Sequence, residues 1–171
     1  MLAISTTSFC MIGVMKALGF CLLLLIAVPG EAKQKAEFLL VEKKERRLTL
    51  FNEGTPVKSY RVALGQNPTG HKMEEGDERT PEGTYFIDFK NSNSDFHRSL
   101  KISYPNRRDR ARAQRDGVDP GGLIMIHGLG DRPRSWHRLI DWTDGCIAVT
   151  NEEIEEIWDL VELDTPIMIL P

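Results

Sequence analysis

Between Phe38 and Phe89, apolar residues recur in short bursts, each closed by a turn signal. That rhythm constrains the fold more than any other feature of the 171-residue chain. Phe38-Leu39-Leu40-Val41 is followed by a charged turn, and Leu48 and Leu50 then alternate with Arg47 and Thr49, the period-two pattern of a half-buried strand. Asn52-Glu53-Gly54 supplies a hairpin turn, and Val57, Tyr60, Val62 and Leu64 carry the chain to Gly65. A polar, glycine-bearing loop over 66–79 leads into Thr80-Pro81-Glu82-Gly83 and a strand over 84–89. Segments 100–104 and 123–126 are further strands, the second apolar throughout and so expected to be central. Many short strands at near-regular spacing predict a mainly β fold of sandwich or barrel type.

One helix is predicted, near the C-terminus. Thr150 or Asn151 can cap it, and Glu152 and Glu153 suit the positive end of its dipole. Ile154, Ile157, Trp158 and Val161 follow at i, i+3, i+4, i+7, a single stripe for burial. Asp164-Thr165-Pro166 ends it, and a strand over 167–170 closes the chain.

The first thirty residues carry one charge, Lys16. After Met15-Lys16 comes a twelve-residue apolar run over 17–28, then Pro29-Gly30-Glu31-Ala32. A positive end, a hydrophobic stretch and a small residue at the cut make a signal peptide over 1–32, with Met15 an alternative start. The run is short of the roughly 20 residues that span a bilayer; an uncleaved anchor is the rival reading. Removing 1–32 takes away Lys16 and Glu31 and leaves the net charge at −3. A mature domain over 33–171, about 139 residues, is long enough for a real core. Its mildly acidic balance argues against nucleic acid as a partner.

Cys10 and Cys21 fall in the leader, so Cys146 is the one thiol left to the mature chain. A lone Cys is either a buried structural thiol or a reactive one. Three features favour a nucleophile: the export context, Gly145 before it, and His127-Gly128 nineteen residues upstream. A thiol attacks as the thiolate, so a base or a positive field must assist it. His127 closes an apolar strand and can project into a cleft as that base. Gly145 permits a tight turn whose amide N–H groups could hold an oxyanion, and Thr143 can orient the turn. Asp144 would raise a nearby thiol's pKa, so it is expected to point away.

His71 and His97 lie in polar loops and suit surface or hydrogen-bonding roles. His137, beside Trp136, could shape the cleft or serve as an alternative base. Four scattered His without H-x-x-x-H or C-x-x-C spacing make a poor zinc site. Two segments are arginine-rich: 106–122, read as solvated surface, and 131–138. The second, with Arg132 and Arg134, must lie near His127 and Cys146 in any fold and could meet an anionic substrate. Papain-like enzymes place Cys before His, the reverse of the order here. Sortase-like enzymes need an Arg after the Cys, and no Arg or Lys follows Cys146.

Together, His127-Gly128, Thr143-Asp144-Gly145-Cys146-Ile147 and Thr80-Pro81-Glu82-Gly83 resemble the L,D-transpeptidase catalytic domain, the YkuD family. The strand-turn-strand opening over 38–65 also fits, so the resemblance covers nearly all of the mature chain. It implies a β-sandwich-like domain, with the one helix after the Cys, acting on peptidoglycan stem peptides in a bacterial periplasm or envelope. On that pattern Cys146 is the nucleophile and His127 the base, with Gly145, Thr143 and Gly128 supporting the turn and the oxyanion. Arg132, Arg134, His137 and Trp142 are the candidate substrate contacts. No metal or organic cofactor is implied, and the oligomeric state is left open. The sequence departs from the family pattern at Ala148, where Arg or Asn is frequent, and at Asp144. A divergent branch with the segment D-W-T-D-G-C-I-A-V-T-N results, and peptide hydrolysis on the same scaffold stands beside transfer.

Overall fold

A computed structural model describes residues 34–171, so the signal peptide expected over 1–32 lies outside the described residues. In chain order come β1 (Phe38–Glu42), β2 (Arg47–Asn52), β3 (Thr55–Arg61), β4 (Gly83–Ser94), β5 (His97–Ile102) and α1 (Arg107–Asp116). They are followed by β6 (Met125–His127), α2 (Arg134–Leu139), β7 (Ile147–Ala148), α3 (Asn151–Leu160) and β8 (Pro166–Leu170).

The strands pair in the order β3-β2-β1-β8-β4-β5-β6-β7. Twelve-residue β4 serves two layers. Its first part, Gly83 to Phe86, pairs with β8; from Ile87 onward it pairs with β5. The register shifts between Ile87 and Phe89, so one strand turns the corner between two sheets at a bulge. The two ends of the order also meet. Ala63, just beyond β3, exchanges both main-chain hydrogen bonds with Ala148 of β7, at 3.0 and 2.8 Å.

Alternation explains the core. Leu39 and Val41 of β1, Leu48 and Leu50 of β2, Tyr85 and Ile87 of β4, Leu100 and Ile102 of β5, and Ile167 and Ile169 of β8 are all buried in one cluster. Helix α3 lays Ile154, Ile157 and Leu160 onto it, beside β5. The helix starts as expected: the Thr150 hydroxyl accepts the Glu153 N–H at 3.2 Å and the Glu153 carboxylate accepts the Thr150 N–H at 2.8 Å, a capping box. Trp158 is only partly covered, and the Lys90 ammonium and Arg98 guanidinium sit 4.5 and 4.9 Å from its ring centre.

The structure departs from the sequence reading at several points; a short helix, α2, also precedes Cys146, in the second arginine-rich segment, and β5 begins at His97. The arginine-rich segment read as solvated surface contains a ten-residue helix, α1. Asn106 and Asp109 form its capping box and Gly117, at φ 71°, ends it in the left-handed conformation. Its inward side carries only Asp109 and Ala113, so hydrophobic periodicity had nothing to register. The strand expected over 123–126 begins two residues later. Leu123 takes a left-handed φ of 54° after Gly121-Gly122 and is 69% exposed, which removes it from the pleat.

Candidate active site

Strands β6 and β7 run parallel, with Ile126 opposite Ile147 and His127 opposite Ala148. Both isoleucines face the core. By alternation, His127 and the neighbours of Ile147 turn to the other face. Cys146 is one step before β7, and the Met125 N–H of β6 donates to its sulfur at 3.4 Å. The register thus sets Cys146 diagonally across from His127, one step beyond the end of the β6–β7 ladder.

Hydrogen bonding sets the tautomer of His127. Its Nδ1–H donates to the Gly128 carbonyl at 2.6 Å, which leaves the Nε2 lone pair as the basic one. The ring packs against Phe96 at 4.3 Å between centroids and meets Trp142 nearly edge-on at 5.7 Å. Burial pushes the imidazole pKa down to about 4. The Gly128 carbonyl opposes that shift, and the charges of Arg132 and His137 add to it.

Gly128 has a steric reason to be glycine. A Cβ there would stand 2.6 Å from Asn151 Oδ1 and 2.7 Å from the Phe96 carbonyl. Asn151, at the start of α3, binds the loop after the histidine three times. Its Oδ1 accepts the N–H groups of Leu129 and Gly130 at 2.7 and 3.1 Å, and its Nδ2 donates to the Gly130 carbonyl at 2.9 Å.

The turn that presents the thiol is anchored just as closely. The Thr143 hydroxyl donates to the Cys146 carbonyl at 2.7 Å and accepts the Gly145 N–H at 3.2 Å. That bond already occupies the Gly145 N–H, which the sequence reading offered as a second oxyanion donor. Gly145 itself has φ 123°, and a Cβ would lie 2.6 Å from the Arg79 carbonyl. Upstream, the Asp141 carboxylate accepts the Leu64 N–H at 2.9 Å and the Arg46 guanidinium at 2.7–3.0 Å. Thr80 of the T-P-E-G segment accepts the Gly65 N–H at 3.2 Å. The ammonium of buried Lys43 binds the Gly70 and Thr80 carbonyls and the Glu82 carboxylate at 2.6, 3.1 and 2.7 Å.

Burial pushes the Cys146 thiol up from its ordinary range. The Met125 N–H and the Lys72 charge work against that shift and Asp144 adds to it, although the Asp144 side chain is exposed. Around neutrality Cys146 is therefore a thiol and His127 a neutral imidazole.

Among the candidate substrate contacts, two join the site. The Arg132 guanidinium stacks 4.6 Å from the Phe96 ring and 5.0 Å from that of Trp142. Both rings touch His127. Arg134 instead faces Glu152 at 3.7 Å, with both side chains exposed. His137 is buried with its Nε2 on the Arg61 carbonyl at 2.8 Å. His71 accepts the Glu82 N–H at 2.9 Å and meets Asp109 at 3.1 Å, while His97 pairs with Glu155 at 2.6 Å. Phe96, Arg46 and the clamp by Asn151 were not anticipated; only Asp141 and Asn151 lie in the segment around Cys146 that signals them.

The model of a family described as the L,D-transpeptidase catalytic domain, YkuD, matches residues 36–169. The YafK protein of Escherichia coli (strain K12) is 28% identical over 131 residues, which make up 72% of this chain and 46% of that protein. The structure of the helical cell shape determining protein Pgp2 from Campylobacter jejuni aligns with a TM-score of 0.61 and 25% identity, over 80% of this chain and 48% of that one. Bd1075 from Bdellovibrio bacteriovorus aligns at 0.57 and 28% identity, over 81% and 51%. The chain thus spans about half the length of these proteins.

Proposed function

Because the chain belongs to the L,D-transpeptidase catalytic-domain family, we propose that it is an exported cysteine acyltransferase acting on peptidoglycan stem peptides. The diagonal placement of Cys146 and His127 at the end of the β6–β7 ladder carries this reading, with Nδ1 of His127 committed to Gly128. The sulfur attacks the carbonyl at the L-to-D junction of a donor tetrapeptide while its proton passes to His127 Nε2. The main-chain N–H of Cys146 steadies the oxyanion. His127 then returns the proton to the departing D-alanine amine, leaving a thioester. An amine, typically the side-chain amine of diaminopimelate, takes the acyl group and regenerates the thiol. Arg132, stacked on the Phe96 and Trp142 rings that also pack against the imidazole, meets a carboxylate of the substrate.

One observation favours hydrolysis as a second reading. Ala148, opposite His127, is fully buried and bonded to Ala63. It offers no side chain to an acceptor where the family often has Arg or Asn. Water would then replace the amine. Purified tetrapeptide muropeptides incubated with the protein, with and without a competing amine, decide between the two by mass analysis of products. New cross-links mean transfer, and shortened peptides alone mean hydrolysis. No change in either case, or equal activity from the Cys146→Ala protein, overturns both.

A further inference from the structure

The resting thiol does not point its hydrogen bond at the imidazole. Its S–H donates to the main-chain carbonyl of Leu123 at 3.6 Å, and the sulfur accepts the Met125 N–H at 3.4 Å. We infer that Leu123 is a positioning residue that keeps Cys146 in a protonated resting state, and that an acyl donor lying over the Leu123 side chain releases it. This rests on the reading of Cys146 as the nucleophile.

Three observations converge on Leu123. It is a branched residue at φ 54°, a conformation that L side chains hold only when their surroundings impose it. The chain is fixed on both sides of it. Before it, the Asp119 carbonyl accepts the Glu75 N–H at 2.8 Å and the Pro120 carbonyl accepts the Tyr104 hydroxyl at 2.9 Å; after it, the Ile124 carbonyl accepts the Ile102 N–H at 3.0 Å. The carbonyl is therefore aimed by its neighbours. The side chain, by contrast, is exposed on the residue whose carbonyl holds the thiol, an apolar surface that a bound substrate would cover.

The charges around the sulfur do not substitute for such a latch. Lys72, in the 66–79 loop, acts on it through its charge alone, and its ammonium is bound to Asp77 at 2.8 Å and the Glu74 carbonyl at 3.0 Å. Asp144 acts from the thiol's own turn, and His127 from β6 is neutral with Arg132 stacked nearby. On release, the S–H bond breaks, the proton goes to His127 Nε2, and the sulfur keeps the electron pair with which it attacks the donor carbonyl. Until then the thiol is shielded from adventitious electrophiles.

The infrared S–H stretch reads this directly, taken as the difference between wild type and Cys146→Ser so that Cys10 and Cys21 cancel. Wild type at neutral pH should show a band shifted to low frequency by the carbonyl. Leu123→Gly, which frees the backbone, should move the band toward that of an unbonded thiol and raise the iodoacetamide alkylation rate several-fold. Leu123→Asn tolerates the left-handed conformation, so it should keep the wild-type band. A missing wild-type band, or a glycine variant identical to wild type in band and rate, overturns the inference. If the glycine variant fails to fold, the wild-type band alone decides: a bonded position supports the latch and an unbonded one overturns it. Neither readout needs turnover, so inertness towards muropeptides would remove the proposed function while leaving this result standing.

Discussion

The carboxylate of Asp141 grips the Arg46 guanidinium through both oxygens, at 2.7 to 3.0 Å, across 95 residues of sequence. Its Oδ1 also takes the Leu64 N–H, so one side chain ties the β1–β2 turn and the segment after β3 to the start of the Cys146 turn. Arg46→Ala should cost about 1–3 kcal/mol, because it strips charged hydrogen bonds from a mostly covered carboxylate. Turnover should fall further than stability alone predicts. Arg46→Lys keeps the charge but not the fork, and should land between the two in denaturant midpoint and in rate.

The buried imidazole makes stability pH-dependent in a defined direction. His127 has a folded pKa of about 4, below its ordinary value of 6.5, so between those values the unfolded chain binds more protons than the folded one. Stability therefore falls as pH drops through that window, by about 3 kcal/mol at full effect. His127→Gln should remove that component. Urea midpoints of the two proteins from pH 7 to pH 4 should converge if the assignment holds, and run parallel if it does not.

Asn151 should act on activity through the histidine loop. Asn151→Ala removes two accepted bonds and one donated bond from the Leu129-Gly130 backbone, and should cost about 2–3 kcal/mol with a drop in kcat. Asn151→Asp retains the acceptor for both N–H groups and should recover part of both losses. Equal damage from the two substitutions would assign the effect to packing against Gly128.

Arg132 and Arg134 are two residues apart and differ in surroundings. If Arg132 meets the substrate carboxylate, Arg132→Ala should raise KM about tenfold, the equivalent of roughly 1.4 kcal/mol of binding. Arg134→Ala, whose exposed pair with Glu152 is worth well under 1 kcal/mol, should leave KM unchanged. Steady-state kinetics on a tetrapeptide donor would show the contrast.

What the sequence could say about this molecule followed the reach of its signals. Leu48 and Leu50, and Ile154 and Ile157, announce their strand and helix because apolar spacing is a local property. Helix α1 escapes that test, since Asp109 and Ala113 are its buried residues; only Asn106, Asp109 and Gly117 betray it. Leu123 misleads, because an apolar side chain reads as core whatever its φ. At the candidate site, Gly128 and Gly145 mark their neighbours through steric demands that only glycine meets. Phe96 and Arg46 reach His127 and the Cys146 turn from hairpin turns distant in sequence, and no spacing rule links them.

Ala63 and Ala148 close the strand order upon itself, and that closure separates two evolutionary freedoms. His127, and the turn that presents Cys146, are held by a ladder of two registered rungs between β6 and β7. The excursion between those strands, with α2 and Arg132, has only to depart and return. Such a crossover can be lengthened, recharged or replaced while the sulfur and the imidazole keep their spacing.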